Sequence, residues 1–164
     1  MELRGAGAER STRSSLNSTI CVLEALLKHE RAGGGRPVVT AARLRGQEYL
    51  LERRLFRRLS TGEAIERDRK SGAAFTRFAF PMGWHYDVLR GLDYLRGAGV
   101  APDERAAEAI ELVASKRDGG GRWPLEVRYS GAMPVETDEG EGRPSRWMTL
   151  RALRVLRWSE RAEA

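Results

Sequence analysis

An all-α chain of antiparallel helix hairpins is the fold class this sequence predicts, and three observations carry the prediction. Apolar residues recur at helical intervals in five segments, glycine or proline punctuates the junctions, and the one alternating stretch is cut short by a proline. At 164 residues the chain has room for one ordinary domain with a real core and little more.

Residues 1–14 are small, polar and charged, which predicts a frayed N-terminus ahead of a helical domain over 15–164. In "LNSTICVLEALLKHERAGGG", Ile20, Leu23, Leu26 and Leu27 share one helical face, and Gly33 to Gly35 stop the helix. A second helix follows Pro37, with Ala41, Leu44, Tyr49, Leu51, Leu55 and Leu59 in period until "STG". A polar loop then runs into Phe75, Phe78 and Phe80, an alternation suited to a short extended piece that Pro81 ends. The third helix is expected over "WHYDVLRGLDYLRGAG", with Val88, Leu89, Leu92 and Leu95 apolar and Gly97 and Gly99 at its end. Pro102 and Asp103 start the fourth, "APDERAAEAIELVASKRDGGG", which its glycine run stops. The fifth starts near Ser145 and carries Trp147, Leu150, Leu153, Leu156 and Trp158.

Three of these helices share a motif in which a small residue sits between leucines: Leu23-Ala25-Leu26, Leu89-Gly91-Leu92 and Leu150-Ala152-Leu153. The small residue admits a close neighbour, a packing reason that needs no ligand. The intervening helices match as well, "RGQEYLLERR" (45–54) lying over "EAIELVASKR" (108–117). The period is thus a helix pair of roughly 60 residues, which must stack on neighbours to bury both its faces. Repeat units of about 16–82 and 83–144, with a partial unit at 145–164, are expected.

Lys and Arg number 29 against 23 Asp and Glu, a net charge of +6 with a pI near 10.1. Such a balance suits an acidic partner, but the arginines are interleaved with glutamates, as in "LLERRLFRRLSTGEAIERDRK". A mixed, solvated helix surface explains that interleaving, so nucleic-acid binding ranks last among the readings. Cys21 is the only cysteine, which excludes an intrachain disulfide and a cysteine-based metal cluster. The first residues lack the apolar core of a signal peptide and no run approaches the roughly 18 apolar residues of a membrane span, so a cytoplasmic location is expected, with peripheral membrane contact open.

The unit "AIELVASKRDGGGRWPLE" resembles the repeat of the terpenoid cyclase and protein prenyltransferase superfamily, in which an outer helix ends in a basic or glutamine residue before Asp-Gly-Gly and Trp. Here those positions are Lys116-Arg117, Asp118, Gly119 to Gly121 and Trp123, and "SRWMTLRALRVL" at 145–156 resembles the inner helix that follows. The resemblance is nearest to bacterial squalene-cyclase-like proteins and implies that the hairpins form an arc of an α/α toroid. Five helices supply fewer pairs than a closed ring, so the chain is expected to be the C-terminal part of a longer ring, a degenerate arc, or one half of an oligomer that self-association or a missing half-ring completes. Within the repeat, the glycines let the chain leave the helix in a left-handed conformation, and Trp123 folds back as a plug between pairs, so Asp118, Gly119, Gly120 and Trp123 form a structural clasp.

The superfamily's cyclases protonate their substrate with an acid from a D-x-D-D motif, and its prenyltransferases activate a thiolate on zinc held by Asp, Cys and His. No D-x-D-D occurs here; Asp87 and Asp93 lie nearly opposite on a helix, and "ETDEGEG" falls in a glycine-rich loop. With His29, His85 and Cys21 but no Asp-x-Cys, neither a metal site nor any other cofactor is expected, and His29 reads as a dipole-compensating residue near a helix C-terminus. The functional cluster is expected at "PMGWHYDVLRG", with Asp87 and His85 as the catalytic candidates. Trp84 and Tyr86, joined by Arg146 and Trp147 from the equivalent turn of the last helix, are expected to line a ligand cavity. Arg90 and Arg146 could meet a diphosphate. The competing assignment makes Trp84 and Trp147 packing residues and Asp87 a helix cap. The leading function is binding, with or without transformation, of an isoprenoid or other apolar small molecule in an aromatic cavity. The alternative is a noncatalytic helical-repeat scaffold for protein–protein interaction.

Overall fold

The computed structural model describes residues 15–66, 74–129 and 140–160, so the expectation for residues 1–14 lies outside the described residues. Five α-helices account for most of the described residues: α1 (Leu16–His29), α2 (Pro37–Glu52), α3 (Val88–Gly97), α4 (Glu104–Ser115) and α5 (Arg146–Glu160). Local chemistry sets most of their starts. Ser15, Asp87 and Asp103 each turn a side-chain oxygen onto an amide of the first turn, at 3.1, 2.7 and 2.8 Å, and Pro37 opens α2 where its missing N–H is harmless. After His29 the first helix widens into a π-helical turn, Glu30–Gly34, that Gly33 ends at φ 90°.

The fold is mostly helical, not wholly so. Two short strands, β1 (Trp123–Pro124) and β2 (Pro144–Ser145), pair antiparallel with Trp123 opposite Ser145. They tie the loop leaving α4 to the residue that precedes α5. The helices lie in two layers: α3 packs between α1 and α5, α2 backs α1, and α4 backs both α3 and α5 while also touching α2. Between the layers lie Ile20, Leu23, Leu50, Leu89, Leu92, Leu95, Val113, Met148 and Val155, all at most 1% exposed. Each such side chain contributes about 1.5–3 kcal/mol through removal from water.

Two boundaries differ from the periodic pattern. The second helix stops at Glu52, about two turns before the last leucine of the period, because Arg54 and Leu55 take φ of 43° and 68°. A left-handed leucine costs about 1–2 kcal/mol. The turn offsets this by burying Leu55 and Phe56 and leaves Leu59 outside, with Leu44 exposed on α2 itself. The third helix begins at Val88, so Trp84, His85, Tyr86 and Asp87 precede it instead of forming its first turn. The small-residue motif divides likewise. At Gly91 a Cβ would fall 2.5 Å from the Tyr86 hydroxyl, and Ala152 is buried, but Ala25 is exposed.

Candidate functional site

The loop after α4 is held from three directions. Asp118 turns its Oδ1 back to accept from the amides of Gly120 (2.9 Å) and Arg122 (2.8 Å), and its own amide donates to the Arg122 carbonyl at 2.7 Å. Only one glycine of the run is left-handed, Gly121 at φ 77°; Gly119 and Gly120 have φ that any residue adopts. The left-handed exit expected of the glycine run falls on Gly121 alone. Trp123 is fully buried, its indole N–H donating to the Val113 carbonyl of α4 at 2.6 Å and its amide to Thr149 Oγ1 of α5 at 3.0 Å. This residue joins the end of one helix pair to the start of the next.

The segment ahead of α3 splits into a buried half and an exposed half. Tyr86 is in the core: its hydroxyl donates to the Leu55 carbonyl at 2.7 Å, its ring meets Phe75 edge-on, and its amide donates to Asn17 Oδ1. It thus lines the interior, not a ligand surface. Burial raises its phenol pKa well above the usual value. Asp87, 2% exposed, has one carboxylate oxygen on the Arg90 amide and the other on the Ala79 amide at 3.1 Å. Burial raises its pKa, opposed by the charge of Arg151 and by those two amides. With both oxygens occupied by backbone, Asp87 pins the chain entering α3 and presents no free edge to a ligand.

Trp84 faces outward and His85 is half-buried. The imidazole lies between the rings of Trp84 and Tyr129, at centroid distances of 3.9 and 3.5 Å. Beside α5, Trp147 stacks on Phe80 at 5.3 Å, nearly parallel. Trp84 is 50% and Trp147 37% exposed, so each stack keeps a large ring half open to solvent, one where the chain enters α3 and one where it enters α5. Arg146 begins α5 and is exposed. Phe80 and Tyr129 were not among the sequence candidates; only their proximity in space recruits them.

Arg90 is spent on structure. Its guanidinium grips Glu24 with two nitrogens (2.9 and 2.7 Å) and donates to the carbonyls of Gly83 and His85, fastening α1 and the pre-helix turn to α3. Around it a groove of about 190 Å³ between α1, α3 and α5 is lined by charge, including Lys28, Arg31, Asp93 and Arg151. A more apolar groove of about 270 Å³ lies between α1 and α2, against Val22, Leu23, Ala42, Gly46 and Tyr49. His29 is exposed, and among the described residues no group of His, Cys, Asp and Glu is placed to hold a metal ion. Among those residues, no helix is long and apolar enough to cross a membrane.

The class of protein these features define is a mostly helical, two-layer chain with a buried clasp between α4 and α5 and half-exposed aromatic stacks ahead of α3 and at the start of α5. Comparison with protein-family models, with curated proteins and with solved structures finds no match to this chain.

Proposed function

We propose that the chain is an arc of α/α hairpins of the terpenoid cyclase and protein prenyltransferase kind, and that it binds an isoprenoid or other apolar ligand at its half-open aromatic stacks. The observation that carries this reading is the pair of stacks, Phe80 with Trp147 and Trp84 with His85 and Tyr129, which hold large rings half open to solvent. Ordered aromatic faces take apolar ligands at little entropic cost, because their rings are already fixed. Asp87 serves this site by positioning the segment that carries Trp84 and His85, and the reading includes no proton transfer from it.

Native mass spectrometry of the protein as purified, followed by melting with added farnesol, tests the reading. An isoprenoid-mass adduct, or a melting temperature that climbs with farnesol, is the expected result; saturation at about 100 times Kd adds roughly 2.7 kcal/mol of stability. A chain that carries no such mass and melts unchanged contradicts it.

A second reading, a noncatalytic scaffold that docks another helical unit, draws on the apolar groove between α1 and α2 with Val22 exposed at its rim. Sedimentation separates the two. A concentration-dependent dimer abolished by Val22→Asp supports the scaffold, and a monomer at all concentrations removes self-association.

A further inference from the structure

We infer that the outward face of α5 docks on an anionic lipid bilayer. Along α5 up to Arg157, the exposed residues are Arg146, Trp147, Leu150, Arg154 and Arg157. At 3.6 residues per turn they fall within about a third of the helix circumference, a single stripe in which Trp147 and Leu150 lie between Arg146 at one end and Arg154 and Arg157 at the other. Leu150 is 41% exposed at its centre, and Trp147 is fixed at its N-terminal end by Phe80. No carboxylate interrupts the stripe before Glu160.

Several arginines of the molecule face a carboxylate, Arg151 on the inner side of α5 among them, 3.5 Å from Asp93. Arg43, Arg57, Arg90 and Arg105 are each paired, with Glu30, Glu108, Glu24 and Glu48. Arg154 and Arg157 have no ion-pair partner among the described residues, although the chain has carboxylates enough to interleave its other helices. Glutamates interleave α2 (Glu48, Glu52) and α4 (Glu104, Glu108, Glu111), whereas α5 carries none before Glu160. An anionic surface complements the free guanidinium groups, and the interfacial zone of a bilayer also takes the half-exposed Leu150 and Trp147. A nucleic acid would use the arginines but gain little from the leucine. This inference shares Trp147 with the isoprenoid reading, but Arg154 and Arg157 take no part in the aromatic stacks, so variants at these two arginines test it separately.

Flotation with vesicles tests it, using phosphatidylcholine alone and phosphatidylcholine mixed with phosphatidylglycerol. The chain is expected to float with the mixed vesicles and not with the neutral ones, and added salt should weaken the association. Arg154→Gln with Arg157→Gln should reduce the partition coefficient by roughly fivefold per arginine. Leu150→Ser should reduce it further; all three positions are exposed, and unchanged melting will show that the variants fold. Equal flotation with both vesicles, or an undiminished double variant, would overturn the inference. So would a chain that ignores vesicles and binds a single-stranded oligonucleotide with the same arginine dependence.

Discussion

Trp123 and Trp147 sit 24 positions apart in one repeat-like sequence, each next to an arginine, yet they do opposite things. The first is fully buried with its indole N–H and its amide both bonded across two helices; the second is 37% exposed and touches the chain through a stacked face. A tryptophan committed at both polar ends is a structural fastener. One that keeps a face open has surface left for a ligand, because little of its stabilisation depends on staying dry.

The sharpest way to break that contrast is truncation. Trp123→Ala should cost about 3–5 kcal/mol, the range for a large buried aromatic, and unfold a marginal domain, whereas Trp147→Ala should stay within about 1 kcal/mol of the parent. Urea denaturation of both variants measures the gap. Next in size is Asp87→Ala, which removes a helix cap and leaves the Ala79 amide buried without its acceptor, at about 1–3 kcal/mol.

Asp87 also carries a pH signature. Burial raises its pKa, so the folded chain holds that proton to higher pH than the unfolded chain does. Its contribution to stability is therefore largest at low pH and declines as pH rises from the ordinary carboxylate range through the raised value. Stability profiles of the parent and Asp87→Asn should diverge across that window, the variant lacking this decline; parallel profiles would show that Asp87 titrates normally.

The smallest effect lies within the clasp. Gly121→Ala, at φ 77°, should cost about 1 kcal/mol, while Gly119→Ala, with ordinary φ and open space at the Cβ position, should be near neutral. Equal costs would mean that the loop's conformation is set by something other than Gly121.

The same contrast explains what could be read in the sequence. The beginnings of α1, α2, α4 and α5 were legible because Ser15, Pro37, Asp103 and Ser145 act within a turn of themselves. The end of α2 was not, since burial of Leu55 and Phe56 against distant elements outweighed an intact helical period. Asp87 was legible as a cap from its residue type, but the apolar run from Trp84 disguised where α3 starts. The two-stranded pairing of Trp123 with Ser145 was invisible because strands of two residues leave no periodicity. Nor does local pattern distinguish Arg90, gripped by Glu24 from another helix, from Arg154, which has no ion-pair partner among the described residues.

A fluorescence titration with farnesol most directly tests the claim that the open tryptophans hold the ligand and the buried one does not. The account predicts a saturable change in tryptophan emission that Trp84→Phe with Trp147→Phe abolishes, while the double variant melts as the parent does. No saturable change, or one that persists in the double variant, would contradict it.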